Sequence, residues 1–379
     1  MGTTAYYLSF IILGMGLAAL GPTLNGLASQ TNSSFSQISY LFMSRSFGYL
    51  LGAYLGGRLF DKKEGHPILA IMLVFMAFFF SVIPFISSLI ILVFLILMLG
   101  VIESILDVGG NVLLLWTHHE KVGPYMNGLH LFFGVGGFLA PFIIAQILTY
   151  GGQSVWIYWV LPLFILPVAI WFQFLPSPDI KKTGSEKKEE SQNKFFLGGI
   201  IFFFFLYVGV EAGFGGWIFT YGIKTKMTDS AGAAYLTSIF WAAFTFGRMV
   251  SVFVASKVKP IMVLFISLVG SLSCFILILL YSASYEVLVA GTFGVGFFIA
   301  SIFPTTLAYC GQSFEITGRI TGWIFMAGSL GSMSLPWLLG QCLEFYGPQA
   351  MMVVMLFSLF IAVALLCAIS SNHYFSRKE

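Results

Sequence analysis

The chain has very few charged residues. Only 9% of its 379 residues are Asp, Glu, Lys or Arg, whereas soluble globular proteins carry about 25%. So few charges cannot cover a water-facing surface, which excludes a soluble enzyme, a disordered chain and a nucleic-acid-binding protein. The 58% hydrophobic content and the mean hydropathy of +0.94 instead indicate an integral membrane protein.

Cysteine is scarce as well. The four cysteines, Cys274, Cys310, Cys342 and Cys367, all lie in apolar runs and lack the spacing of metal ligands. We expect them to be packing residues, which excludes a secreted disulfide scaffold. The sequence also lacks a nucleophile–base arrangement and a phosphate-binding loop, so it predicts no enzyme and no cofactor.

Long apolar runs fill most of the chain. A bilayer core takes about 20 apolar residues per helix, and continuous rather than alternating runs favour helices over a β-barrel. Pro, Gly, Ser or clustered charges mark the breaks between runs. Twelve runs result: 5–25, 36–59, 67–86, 89–117, 124–149, 154–175, 196–222, 231–256, 260–281, 284–310, 318–344 and 348–370. We therefore predict an all-α integral membrane protein with twelve transmembrane helices.

A single long polar stretch divides these runs into two sets of six. It covers residues 176–194 and contains the charged run KKTGSEKKEE at 181–190. This pattern predicts a six-helix bundle at 1–175, a cytoplasmic linker at 176–194 and a second six-helix bundle at 195–379.

The distribution of Lys and Arg predicts the orientation, because basic residues concentrate in cytoplasmic loops. If both termini are cytoplasmic, the outside loops hold only Lys224 and Lys226. The inside loops then hold Arg58, Lys62, Lys63, Lys121, Lys181, Lys182, Lys187, Lys188, Lys194, Lys257, Lys259, Arg319, Arg377 and Lys378. We expect a multi-pass protein of the plasma or inner membrane with both termini in the cytoplasm.

The two halves share sequence features. The second and eighth runs both carry Phe-Gly before a basic loop, at Phe47-Gly48 and Phe246-Gly247. The fifth and eleventh runs share one glycine spacing followed by a proline: Gly128, Gly134, Gly137 and Pro141, and Gly322, Gly328, Gly331 and Pro336. Two pseudo-symmetric six-helix halves are the layout of the major facilitator superfamily, whose binding site lies between them near the membrane midplane.

Six ionisable residues fall inside the predicted helices. Charge is costly within a bilayer, so each of them is a functional candidate. They are Arg45, Glu103, Asp107, His130, Glu211 and Arg248.

Two acids share one face of the fourth predicted helix. Glu103, Asp107 and Asn111 stand four residues apart, and two ionised carboxylates at that spacing repel. At least one acid must take up a proton, bind a cation or face an arginine. We predict that Asp107, with or without Glu103, is the cation-coupling group, and that Asp107 is a metal ligand if the ion is sodium. The alternative is a structural ion pair of one of these acids with Arg45.

Several other polar and aromatic residues are candidates for contact with a substrate. His130 stands beside Asn127, and a neutral imidazole both donates and accepts hydrogen bonds, as a polyhydroxylated ligand requires. Glu211 lies in the glycine-rich segment YVGVEAGFGGW, where a loosened helix would expose it. The alternatives are helix packing for His130 and close contact through small residues for the glycines.

Trp217 and Trp323 are candidates to stack on the apolar face of a sugar, with plain packing as the alternative. Arg248 follows Gly247 near one end of its helix, which favours a gating or anchoring role. Arg45 is a candidate for an ion pair or a gate.

The loop after the second run, GGRLFDKKEGHP, resembles the G-x-x-x-D-[RK] signature of the superfamily through Gly57, Asp61 and Lys62. Within the superfamily, five segments resemble the fucose–proton symporter family and the sodium-dependent glucose transporter family. They are SRSFGYLLG, DVGGN, NGLHLFFGVGG, YVGVEAGFGG and SIFPT.

That resemblance implies roles for particular residues. In fucose-type proteins an acid before small residues and Asn serves proton coupling and sugar contact, and Asp107 and Asn111 fill that pattern here. The pair Asn127 and His130 resembles the sodium–glucose relatives more closely. So does the segment GPTLNGL, which lacks the carboxylate of the fucose type and favours sodium.

Together these features predict a secondary active transporter that moves a hexose with a sodium ion or a proton by alternating access. We expect Asn111, Asn127, His130 and Glu211 to hydrogen-bond the sugar. The expected partners are a small sugar and the lipid bilayer, with no nucleic acid, and the protein is expected to be a monomer. A drug–proton antiporter and a membrane sugar sensor that does not transport are the alternatives.

Overall fold

The chain folds almost entirely into helices. The computed structural model describes residues 2–178, 194–255, 257–311 and 318–376. Its α-helices over these ranges are α1 (Gly2–Gln30), α2 (Phe35–Ile38), α3 (Tyr40–Phe60), α4 (Gly65–Val82), α5 (Leu89–His118), α6 (Val122–Thr149), α7 (Ile157–Gln173), α8 (Lys194–Lys224), α9 (Ser230–Ala255), α10 (Pro260–Leu280), α11 (Tyr285–Ile299), α12 (Ile302–Gly311), α13 (Gly318–Tyr346) and α14 (Pro348–Ser376).

The twelve predicted membrane spans are present as helical segments. In the described ranges, 10 segments are long and apolar enough to cross a membrane, with α11 and α12 together forming one of them. The other two spans are α3, with 21 residues, and α13, with 29 residues. Both are rich in glycine and serine, which are small and allow the close contacts that these helices make with others of the bundle.

Two of the predicted runs are split in the structure. The run 36–59 is divided at Ser39 into α3 and the short helix α2, whose start is stabilised by a capping box of Ser34 and Gln37. The run 284–310 is divided into α11 and α12 because Pro304 has no N–H to donate to the carbonyl of Ala300. The break at 300–301 lies at the start of the segment SIFPT, which covers 301–305.

Helix packing repeats between the two halves. In the first half α1 packs on α6, α3 on α5 and α4 on α7, and in the second half α8 packs on α13, α9 on α11 and α10 on α14. Contacts between the halves run from α6 to α9, from α3 to α13 and from α1 to α8. The protein is therefore two pseudo-symmetric six-helix bundles. Most of the predicted linker, residues 179–193, lies outside the described residues.

The Phe-Gly repeat occupies equivalent positions in the two bundles. Gly48 on α3 lies directly against the carbonyl oxygen of Leu97 on α5, and Gly247 on α9 lies against the carbonyl oxygen of Phe297 on α11. A side-chain carbon at either glycine would collide with that oxygen. These glycines therefore set how closely the paired helices approach.

The second predicted repeat is shifted by one residue. Gly331 on α13 abuts the carbonyl oxygen of Phe205 on α8, and its counterpart on α6 is Gly136, which abuts the carbonyl oxygen of Ile11. Gly137, which the spacing had paired with Gly331, faces the other bundle instead. Spacing alone selected the wrong glycine because GVGG offers two at adjacent positions.

A valine at Gly48 tests the importance of this close packing. The added carbons cannot be accommodated without moving α3 away from α5, and overpacking typically costs about 1–3 kcal/mol. The matched control is Gly57→Val on the same helix, where a side-chain carbon would meet open space. We expect thermal unfolding in detergent at a clearly lower temperature for Gly48→Val and little change for Gly57→Val. Equal melting temperatures for the two variants would contradict the packing described.

Candidate cation and substrate site

The interface between α3 and α5 contains a buried ion pair. Arg45 donates from Nε to Oε2 of Glu103 at 2.8 Å and from Nη2 to Oε1 at 2.7 Å. Its Nη1 donates to the carbonyl oxygen of Leu17 on α1 at 3.0 Å. The side chains of Arg45 and Glu103 are 12% and 3% exposed. Both carboxylate oxygens of Glu103 are thus engaged by one guanidinium, as in the structural alternative considered from the sequence.

Asp107 lies one turn further along α5 and has a different environment. Tyr49, one turn after Arg45 on α3, donates its hydroxyl hydrogen to Oδ2 of Asp107. Asn111 donates from Nδ2 to Oδ1 of Asp107 at 2.9 Å and to its backbone oxygen at 2.9 Å. Within the described ranges no Lys, Arg or His forms an ion pair with Asp107. Asp107 is therefore a half-buried carboxylate that is hydrogen-bonded but not charge-compensated.

Phe10 on α1 connects this region to α6. Its ring lies directly against Gly110 on α5, between Asp107 and Asn111 in sequence. Its other neighbour is His130, with ring centroids 6.0 Å apart in an edge-to-face arrangement. The polar face of α5 and His130 thus meet around one aromatic ring.

Side chains of α6 beyond its contact with α9 are exposed, which indicates a space between the two bundles there. The two helices touch where Gly134 meets Thr245 and Gly137 meets Trp241. Asn127 and His130 continue the same face of α6 and are exposed. His130 nevertheless lies within electrostatic range of Arg248 on the opposite bundle. The exposed imidazole therefore faces the space between the two halves.

Glu211 on α8 is half-buried. Tyr207, one turn earlier on the same helix, donates its hydroxyl hydrogen to Oε2 of Glu211. The positive charge of Arg248 acts on Glu211, although the two do not form a direct ion pair in the described part of the chain. The guanidinium carbon of Arg248 lies 4.5 Å from the centre of the Phe244 ring. Neither Glu211 nor Asp107 forms an ion pair among the residues described, but only Glu211 has an arginine, Arg248, whose charge reaches it.

Hydrogen bonds close the space between the bundles at one end, here called the sealed end, where α1, α6, α8 and α13 terminate. Thr220 donates to Oδ1 of Asn25 at 3.0 Å, and Gln146 donates to the hydroxyl of Tyr235 at 2.5 Å. At the start of α2, Ser36 donates to Oε1 of Gln341 at 2.5 Å, and Gln341 donates back to the carbonyl oxygen of Ser36 at 3.0 Å. The backbone N–H of Phe35 donates to Glu344 at 3.0 Å.

Four other candidate residues lie apart from this space. Trp217 is 1% exposed, packs on Phe42 and donates its N–H to the carbonyl oxygen of Pro336 at 2.8 Å. No face of Trp217 is open to a sugar in this conformation. Trp323, in the first two turns of α13, is 45% exposed. Asp61 and Lys62 are exposed at the end of α3 and form no ion pair among the residues described.

Two tyrosines of this region were absent from the sequence-based candidates. Tyr49 follows Arg45 by four residues just as Asp107 follows Glu103. Because the spacing matches, the two helices form two successive pairs, Arg45 with Glu103 and Tyr49 with Asp107. Tyr207 precedes Glu211 by four residues and therefore shares its helix face. Both spacings are visible in the sequence once the helix pairs are known.

Comparison with known proteins agrees with this architecture. The chain is 36% identical over 371 residues to sodium-dependent glucose transporter 1 of Danio rerio, a match that covers 88% of this chain and 62% of that protein. It therefore spans less than two thirds of the length of the zebrafish protein. It is 30% identical over 378 residues to sodium-dependent glucose transporter 1A of Mus musculus, covering 88% of both chains.

A crystal structure of the nucleoside transporter NupG superposes on the chain with a TM-score of 0.75 at 16% identity. The match covers 97% of this chain and 97% of that one. At this identity the superposition shows the fold alone.

These relatives confirm the resemblance to the sodium-dependent glucose transporter family, whereas the resemblance to the fucose–proton family stays a prediction. The family model described as Major Facilitator Superfamily matches residues 6–336. This protein is therefore a member of the major facilitator superfamily, a multi-pass membrane transporter rather than an enzyme.

Proposed function

We propose that the protein is a cation-coupled symporter that carries a hexose by alternating access. The observation that carries the proposal is the state of Asp107, a carboxylate inside the membrane without a positive partner among the described residues. A charge in that state inside a membrane is costly, and a bound cation removes the cost. The relatives named sodium-dependent glucose transporter 1 support a hexose and favour sodium as the ion.

The surroundings of Asp107 suit a small hard cation. Sodium prefers oxygen ligands, as hard cations generally do. The carboxylate of Asp107, the hydroxyl of Tyr49 and the side-chain oxygen of Asn111 are three such ligands on two adjacent helices. The amide of Asn111 now points its nitrogen toward Asp107, and a rotation of that amide would present its oxygen instead. A proton on Asp107 would remove the same charge.

The sugar is proposed to bind in the space between the bundles. His130 and Asn127 on α6 offer donors and acceptors on an exposed face, and Glu211 on α8 offers a half-buried carboxylate in the other half. Neutral imidazole, amide and carboxylate groups together match the mixed donor and acceptor character of hydroxyl groups. Because Phe10 links His130 to the α5 region of Asp107, occupation of one site affects the other through a shared packing partner.

Alternating access would follow from opening the sealed end while the opposite end closes. The hydrogen bonds at Asn25, Ser36 and Gln146 all join residues of different bundles, so rocking the halves breaks them together. If the termini are cytoplasmic, the sealed end faces outward and this conformation releases substrate to the cytoplasm.

Replacing Asp107 by Asn tests the coupling role. The neutral amide needs no cation, so sugar binding loses its dependence on the ion gradient. We expect the accumulation ratio in proteoliposomes with an imposed sodium or pH gradient to fall to about 1, because no coupling free energy remains. Exchange of labelled for unlabelled hexose should persist in the same vesicles.

The matched control for this experiment is Glu286→Gln, which neutralises an exposed acid at the start of α11. It should accumulate sugar like the unmodified protein. Normal concentrative uptake by Asp107→Asn would refute the assignment of Asp107 as the coupling group.

The ion pair of Arg45 and Glu103 makes a separate prediction. Removing one partner, as in Glu103→Gln, leaves a buried uncompensated charge and should destabilise the protein by about 3–5 kcal/mol. Replacing both by apolar residues, as in Arg45→Met with Glu103→Leu, should restore most of the thermal stability measured in detergent. The double variant should also show concentrative uptake of hexose. A stable double variant that binds sugar but cannot concentrate it would instead make Glu103 a coupling residue.

A further inference from the structure

Three polar side-chain atoms on α9 are buried without a hydrogen-bond partner among the residues described: Oγ1 of Thr237, Nε1 of Trp241 and Nε of Arg248. Of these, the two nitrogens can only donate. Trp241 and Arg248 stand seven residues apart, which places them on one face of the helix. Thr245 lies between them on that face and packs against Gly134 of the opposite bundle. Both unpaired donors thus belong to the surface by which α9 faces the first half.

Trp241 is held between the two halves. It is 6% exposed, and its indole ring lies over Gly137 of α6 and near Gly215 of α8. Phe133 on α6 contacts the same ring edge-to-face, with centroids 6.5 Å apart. The indole therefore lies where α6 and α9 come into contact, next to the space that His130 lines. The N–H group there is shielded from water and has no acceptor in the described part of the chain, which costs free energy until a ligand supplies one.

Arg248 extends the same row of donors toward the open part of the gap. Stacking on Phe244 draws its guanidinium back along the helix toward Trp241, as helical side chains generally lean toward the N-terminus. Its charge acts on both Glu211 and His130, so it lies among the groups already proposed to contact the sugar. A guanidinium and an indole N–H can donate but cannot accept hydrogen bonds.

We propose that Trp241 and Arg248 bind the sugar directly by donating hydrogen bonds to two of its hydroxyl oxygens. The inference rests on the proposed function and deepens it. The first bundle supplies mixed donors and acceptors, while Trp241 and Arg248 supply donors only. The protein then selects polyols that present acceptor oxygens on the face turned toward α9. Arg248 is on this view a ligand of the sugar, beyond the gating or anchoring role that its position in the sequence favours.

Deoxy and deoxyfluoro sugars test this directly, because fluorine retains a weak acceptor and hydrogen does not. Equilibrium binding of labelled glucose to the purified full-length protein is measured in competition with analogues altered at each ring position. At the position that meets Trp241, the deoxy analogue should bind about three- to tenfold more weakly than glucose, the effect of one hydrogen bond. The fluoro analogue should lose less.

Trp241→Phe keeps an aromatic ring and removes the N–H. In this variant the deoxy penalty at that one position should disappear, while penalties at the other positions remain. The matched control is Trp217→Phe, which makes the same chemical change where the N–H already has Pro336 as its acceptor. That variant should keep every deoxy penalty. Arg248→Lys retains the positive charge, removes Nε and should abolish the penalty at a second position.

The outcomes separate the two proposals. A protein that binds no hexose before any substitution would overturn the proposed function and this inference together. Hexose binding with all deoxy penalties unchanged in both Trp241→Phe and Arg248→Lys would overturn this inference alone. If Trp241→Phe does not fold, as judged by its melting curve, Arg248→Lys decides the result on the same analogues.

Discussion

The interaction on which the rest depends is the ion pair between Arg45 and Glu103. Glu103 neutralises Arg45, the positively charged residue of α3 that lies nearest to Asp107. Both side chains of the pair are largely buried. The pair is neutral as a unit and stable within a low-dielectric bundle. Its consequence is that Asp107, one turn away, keeps a charge that the described protein does not balance. A transported cation can provide that balance, so the fixed pair makes the neighbouring acid available for coupling.

The second half solves the same electrostatic problem differently. Glu211 receives a hydrogen bond from Tyr207, as Asp107 does from Tyr49, but Arg248 lies close enough to act on its charge. The two carboxylates therefore have similar hydrogen bonding and different charge balance. On this ground we propose that the ion binds in the first bundle and that Glu211, with the donors on α9, contacts the sugar. The pseudo-symmetric fold thus carries an asymmetric site.

Much of the fold follows from the sequence because bilayer thickness and backbone hydrogen bonding leave few choices. Twelve apolar runs and a polar stretch were sufficient to predict two six-helix bundles. Close helix contacts were predictable for Gly48 and Gly247, where one glycine stands alone. At GVGG the sequence could not distinguish Gly136 from Gly137, since the choice depends on how α6 is rotated against α1. The break before Pro304 could likewise be located only once the structure showed one predicted run divided into α11 and α12.

The sequence was sufficient to predict the acidic residues of the candidate site, but it did not show which residues each acid contacts. Glu103, Asp107 and Glu211 stand out because an ionisable residue inside a membrane carries a large free-energy cost. Which acid takes Arg45 depends on the registration of α3 against α5, and a shift of one turn would exchange Glu103 for Asp107. Trp217 and Trp241 look alike in the sequence, yet the first has an acceptor for its N–H and the second has none among the residues described.

The number of charges moved per sugar tests the central claim most directly. In proteoliposomes with fixed sodium and sugar gradients, the membrane voltage at which net hexose flux reverses gives this number. Because Asp107 is the one acid proposed to bind the ion, the account predicts a single positive charge for each hexose. A value of zero would mean that no cation is coupled, and a value of two would mean that Glu211 or Glu103 binds one as well. Either value would contradict the account.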